Sequence, residues 1–210
     1  MTLPPSYFYP GRMGQIFVLA LDEILGCAEE QRILTLAGLA DICFTSQPIS
    51  FGQIGCLQSA IFGVFGPRAG RGISRRVGQA SFKYAQREFE VELGLNTSSF
   101  RLLPMRARLK SGLEGFARLF NTFADQHVRL EQKEQVVYWH IERCPFCSGR
   151  VEDTVANDRP DNPSCDWAVG FLQEALYWVS GGKYFQMEEK KCLASGDRVC
   201  TIGIDLIPMS

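Results

Sequence analysis

The carboxylate Glu189 sits three positions before the thiol Cys192 in the stretch Glu188 to Cys200, EEKKCLASGDRVC, and a second thiol, Cys200, follows a Gly-Asp turn. Thiolates with one carboxylate at tetrahedral reach suit zinc, which takes sulfur at about 2.3 Å and oxygen at about 2.0–2.2 Å. Three more cysteines fall in the same last third of the chain. Cys144 and Cys147 form the C-x-x-C of RCPFCSGR, and Cys165 opens a helical pattern, where a helix N-terminus favours thiolate over thiol. Six candidate ligands exceed what one tetrahedral ion takes, so either some are spare or the site uses a different four. A hairpin of inert buried thiols is the plain alternative, and an iron–sulfur cluster on four of the five cysteines is another. A thioredoxin-like role does not fit, because CPFC does not open a helix in a β-α-β setting.

The elements that must position these residues follow from periodicity. In KYFQMEE, Phe185, Met187 and Glu189 share the apolar face of a strand, and in VCTIGIDLI, Cys200, Ile202, Ile204 and Leu206 do the same. A carboxylate on a buried face is costly unless paired or bound to metal. VVYWHIE alternates with Val137, Trp139 and Ile141 on one side, VRLEQ is its partner across a turn near Lys133, and residues 144–163 read as a Pro-, Asp- and Ser-rich loop. A helix runs from Cys165 to Ser180 and stops at Gly181 and Gly182.

Upstream, the pattern is helical. Met13, Ile16, Phe17 and Ala20 form a stripe, SFGQ at Ser50 to Gln53 is a capping box, and GPRAG interrupts the run after Phe65. Leu109, Leu113, Phe116 and Phe120 make the core face of a helix that starts after Pro104. The order predicts an α+β fold: N-terminal helices followed by β-β-α-β-β, giving a four-stranded antiparallel sheet covered on one face by helices. Residues 1–48 read as an N-terminal helical arm and 49–210 as the ligand-binding domain, with the metal site in 144–200.

The 210 residues are 46% hydrophobic and 21% charged, with a net charge of −1. No global basic field draws the chain to nucleic acid, and no run of about 18 apolar residues marks a membrane span. No signal-peptide pattern is readable, so the expected location is cytoplasmic, where clustered cysteines more often bind metal than form disulfides. Cys27, Cys43 and Cys56 sit singly in apolar surroundings and read as buried structural thiols. Arg68, Arg71, Arg75 and Arg76 offer a clamp for a ligand carboxylate or, more simply, a solvated helix face. His127 and His140 are isolated. No nicotinamide-binding motif or catalytic constellation is readable, so an enzyme is not the first reading.

The segment from Cys165 to Ile204 resembles the 4-vinyl-reductase, or hydrocarbon-binding, domain family. Its pattern of a Cys opening a helix, a Gly five residues on, a Gly-rich helix end, E-x-x-C, a Gly-Asp turn and a final Cys falls on Cys165, Gly170, Gly181 and Gly182, Glu189, Cys192, Gly196 with Asp197, and Cys200. GPRAGRGISRRVGQASFKY is similar to the family's Gly-Arg helix. The resemblance implies a dimeric α+β fold related to TRAPP vesicle-tethering subunits. From phenol-sensing members it implies zinc on Cys165, Glu189, Cys192 and Cys200, a pattern to which Cys144 and Cys147 do not belong. The function it implies first is a binding or sensor module for an aromatic, hydrocarbon or tetrapyrrole-like molecule. The alternatives are a bacteriochlorophyll-pathway protein, either vinyl reductase or carrier, and a structural dimer scaffold. The nearly all-apolar helix from Gly52 to Phe65 is the candidate homodimer interface.

Overall fold

The computed structural model describes residues 6–148 and 165–209. Two short strands, β1 (Phe8–Tyr9) and β2 (Ile49–Ser50), pair antiparallel and bracket helices α1 (Gly11–Leu25) and α2 (Cys27–Leu36). Helix α3 runs from Phe51 to Glu88. Its start is fixed by the expected capping box: the Gln53 N–H donates to Ser50 Oγ, and the Ser50 N–H donates to Gln53 Oε1 at 2.8 Å. At Gly66 the backbone turns to φ 74, and Pro67 restarts the helix. Only glycine takes that dihedral at no cost, and proline is at home in a first helical turn. Two short helices, α4 (Glu90–Leu93) and α5 (Ser98–Leu102), lead to α6 (Met105–Phe123), which buries Leu109, Leu113, Phe116 and Leu119.

The second half holds β3 (Val128–Lys133), β4 (Val136–Ile141), α7 (Asp166–Ser180), β5 (Phe185–Lys191) and β6 (Cys200–Pro208). The four long strands form one antiparallel sheet in the order β3-β4-β6-β5, so the last strand lies inside the sheet. Register sets Ile141 opposite Cys200, Trp139 opposite Ile202, and Glu189 opposite Ile202. The buried face carries Val137, Trp139, Ile141, Phe185, Met187, Cys200, Ile202 and Ile204, as the alternation predicted. The α+β class and the strand order in sequence hold. Most of the expected loop at 144–163 lies outside the described residues.

Helix α7 lies against α3 at unusually short range. A Cβ on Gly170 would stand 2.0 Å from the Arg75 carbonyl oxygen, and one on Gly78 would stand 2.1 Å from that of Trp167. Those two glycines let the backbones touch, which gives Gly170 of the family-like pattern a physical reason. The same contact corrects the arginine reading. Arg71 and Arg75 donate through Nε at 3.0 and 2.9 Å to Asp166, whose carboxylate is buried, so they lock α3 to α7 rather than await a ligand. A second correction concerns the single cysteines: Cys27 and Cys43 are exposed and Cys56 is half-buried. Cys27 begins a helix of low amphipathic order and Cys43 lies in a turn, so local apolar neighbours in sequence did not translate into burial. The two-residue strands and α4 and α5 were not expected, since elements that short leave no periodic signal.

Candidate metal centre and the adjoining cavity

Five thiols converge where the helix start meets the sheet. Cys200 opens β6, Cys192 follows the end of β5, Cys165 precedes α7, and Cys144 and Cys147 lie just beyond β4. All five are buried, at 0–1% exposure. Cys165 Sγ lies 3.4 Å from Cys144 Sγ, 3.4 Å from Cys147 Sγ and 3.5 Å from Cys200 Sγ. Cys147 Sγ is 3.5 Å from Cys200 Sγ and 3.6 Å from Cys192 Sγ. The sulfur–sulfur edge of a tetrahedron with bonds of about 2.3 Å is about 3.8 Å, a little longer than these spacings.

Glu189 completes the group. Its Oε2 accepts the Cys165 backbone N–H at 2.8 Å, while its buried Oε1 has no hydrogen-bond partner. The expected parity holds, with Glu189 on the side of Phe185 and Met187. Backbone donors hold the rest: the Cys192 N–H donates to Asp197 Oδ2 at 2.8 Å, and the Leu193 N–H to Cys200 Sγ at 3.2 Å. Asp197 of the Gly-Asp turn thus braces the loop between two thiols.

Two sets of four have ligand atoms mutually within 4.8 Å: Cys144, Cys147, Cys165 and Cys200, and Cys165, Glu189, Cys192 and Cys200. The structure therefore brings together all six residues singled out in the sequence. Burial, aided by negative charge at Cys192, pushes the Glu189 carboxyl up to about 9. Burial also pushes the Cys144 thiol up to about 11. Hydrogen bonds from Cys144 and its other thiol neighbours hold Cys147 well below its usual value. At Cys192 the upward effect of Cys147 is outweighed by hydrogen bonds from Cys165 and Cys200, bringing it down to about 6. Cys165 is driven upward, first by Cys144 and then by the other three thiols, and Cys200 first by Cys144 and then by Cys147, against a lowering by Cys165. Such a group cannot ionise throughout without a cation.

An apolar cavity of ≈ 60 Å³ adjoins the thiols, lined by residues of α1, α3, α6, α7 and β4 that include Met13, Phe17, Phe120 and Trp139, and by Phe89 just after α3. Phe146, between Cys144 and Cys147, and Trp167, two residues after Cys165, both form part of its wall. Their rings stack at 5.6 Å, and Phe17 meets both edge-on. Polar groups are few. Tyr9 Oη donates to Gln126 Oε1, and Trp167 Nε1 donates to Ser81 Oγ at 3.0 Å. Most of its rings come from the helices, with Phe17 of α1, Phe120 of α6 and Phe171 of α7 among them. Tyr9 and Gln126 were missed, being 117 residues apart with no local pattern to join them. Neither histidine reaches the cavity: His127 pairs with Glu142, and His140 sits between Glu131 and Thr201.

No protein-family model and no curated protein matches the chain. Solved structures do. An H-NOX protein from S. oneidensis, in its Fe(II)NO ligation state, aligns with a TM-score of 0.63 at 10% identity, over 95% of this chain and 99% of that one. An H-NOX structure from a study of heme distortion aligns with a TM-score of 0.59 at 13% identity, over 96% and 97%. The phenol-responsive sensory domain of the transcription activator PoxR, with phenol, aligns with a TM-score of 0.53 at 15% identity, over 77% and 78%. The chain thus has the fold shared by H-NOX proteins and this phenol-responsive domain.

Proposed function

We propose that the chain is a binding or sensor module for a small apolar aromatic molecule, with zinc on Cys165, Glu189, Cys192 and Cys200 as a structural element. One observation carries this reading: the segments bearing the thiols also supply Phe146 and Trp167 to the cavity wall. Metal that orders those segments would hold the wall in shape. Four protein ligands leave no open position for water, which is the pattern of a structural rather than catalytic ion. The orphaned Glu189 Oε1 supports a cation at its side of the cluster. Sulfurs at 3.4–3.6 Å favour an ion that thiolates contact jointly over a four-iron cluster, in which each thiolate reaches a different iron and the sulfurs stand farther apart.

The fold neighbours raise haem as a ligand, and the residues here do not fit it. The cavity of ≈ 60 Å³ is far below the about 300 Å³ at which ordinary cofactor pockets begin. No His or Cys lines it, and the hydroxyl of Tyr9 is taken up by Gln126. A tetrapyrrole carrier or vinyl reductase meets the same limit of room. A phenol-like ring is the better match in size and apolar character, with Gln126 and Tyr9 paired to each other at the wall. The cavity is smaller than the about 150 Å³ void that takes benzene, so entry of a ring requires side chains such as Met13 or Phe146 to move.

We further propose that two copies pair through the Gly52 to Phe65 stretch of α3. One side of that stretch, at Ile54, Leu57 and Ile61, is buried within the chain, while Val64 and Phe65 are only partly covered. Residues 1–48 then act as an arm that closes the cavity, to which they contribute Tyr9, Met13 and Phe17.

Thermal-shift measurements with phenol, indole and benzoate test the ligand reading. Phenol and indole should raise Tm, benzoate should not, and Ala168→Phe, which fills the chamber, should abolish the rise. No shift with any neutral single-ring aromatic, alongside a normal shift on metal removal, would sink the ligand reading while leaving the metal reading intact.

A further inference from the structure

We infer that the cluster is built for two metal ions joined by two bridging thiolates, Cys165 and Cys200. The inference rests on the reading that these cysteines bind metal, and it adds a second ion that the single-zinc reading does not contain. The two sets of four are not alternatives. Each is a complete tetrahedral ligand set, and they share Cys165 and Cys200. Two tetrahedra sharing one edge need six ligands, and the cluster holds five thiols and one carboxylate.

The placement follows the chain. Cys144 and Cys147 arrive as a pair from the end of β4 and belong to one ion. Glu189 and Cys192 arrive as a pair from the end of β5 and belong to the other. The two shared sulfurs are 3.5 Å apart at the centre. Cys165 Sγ touches Cys144 and Cys147 on one side. On the other, the Cys165 N–H already holds Glu189 Oε2, leaving Oε1 free for an ion.

Electrostatics points the same way. One divalent ion on four of these groups leaves a fifth buried thiol and a sixth ligand with no role. Arg71 and Arg75 are committed to Asp166, the residue after Cys165. Two divalent ions offset four of six negative charges, and the Leu193 N–H donates to Cys200 Sγ, which reduces the charge left on a bridge. Cys147 and Cys192, at 3.6 Å, belong to different ions in this arrangement and move apart as both sites fill.

Anaerobic titration of the full, chelated chain with Co(II) tests this, read by thiolate-to-cobalt charge-transfer absorption and by native mass spectrometry. Saturation at two equivalents per chain is expected, with weakened magnetism from coupling through the bridges. On wild-type protein loaded with cadmium-113, two resonances are expected, one from an all-sulfur site and one shifted by an oxygen ligand. C144S with C147S, and separately E189Q with C192S, should each retain one ion. Saturation at one equivalent with a single cadmium resonance overturns the two-ion arrangement and leaves the single-zinc reading standing. No tight binding at all overturns both. The wild-type cobalt and cadmium readouts need no variant to fold.

Discussion

Cys200 is the residue on which most of the cluster depends. It begins the strand at the sheet interior, faces Ile141 across the ladder, and belongs to both ligand sets. Structural zinc contributes about 10–16 kcal/mol in small peptides, against a whole-domain stability of about 5–15 kcal/mol. Cys200→Ala is therefore expected to strip the metal and lower Tm by tens of degrees or prevent folding, whereas Cys27→Ala, at an exposed thiol, should change neither. Metal analysis and calorimetry on the two variants check this. At this scale the sequence was informative where spacing encodes chemistry. Strand parity placed Glu189 and Cys200 on the buried side of neighbouring strands, and the family resemblance added Cys192 and Cys165 to them. It was silent on Tyr9 and Gln126, because a contact across 117 residues has no spacing to read. It misled on Cys27 and Cys43, which are exposed although apolar residues lie near them in sequence.

Among the elements, the pair α3 and α7 sets the geometry of both cavity and metal centre. Gly170→Ala would drive a methyl group into the Arg75 carbonyl, 2.0 Å away. Overpacking costs about 1–3 kcal/mol where side chains can yield, and backbone against backbone yields less, so a loss above that range is expected in denaturant unfolding. Gly72→Ala, with nothing within 4 Å, is the control and should be neutral or slightly stabilising. Asp166→Asn removes the charge shared by Arg71 and Arg75, and hydrogen bonds to charged groups are worth about 1.5–3 kcal/mol. The arginines are about two-fifths exposed, so solvent screening puts the expected loss at the low end of that range. Helix and strand positions were legible from periodicity, including the break at Gly66. The order β3-β4-β6-β5 was not, because strand neighbours within a sheet depend on how α7 crosses it, and no local pattern records that.

For the whole molecule, the proposed pairing through Gly52 to Phe65 is checked by sedimentation. A mass near twice 23.5 kDa is expected at micromolar concentration, and Val64→Glu should return it to the single-chain value. A wild-type mass of one chain would remove the pairing. No helix among the described residues is long and apolar enough to cross a membrane.

The bend at Gly66 has a mechanical consequence. Beyond it, Pro67 to Glu88 is a rod of about 33 Å, at 1.5 Å per residue, fastened to α7 near its middle by Gly78. Before it lies the stretch proposed to meet a second copy. A fastened rod with a swivel at one end works as a lever. If a ring entering the chamber displaces Trp167, the touching backbones leave α3 no slack to absorb the shift, and the displacement has to appear at the swivel. Spin labels placed at Gln53 and Arg87, positions on either side of the bend, should then report a changed distance when phenol is added to wild type. The same labels should report none in Ala168→Phe. An unchanged distance in wild type, with phenol bound, would show that the two arms of α3 move as one.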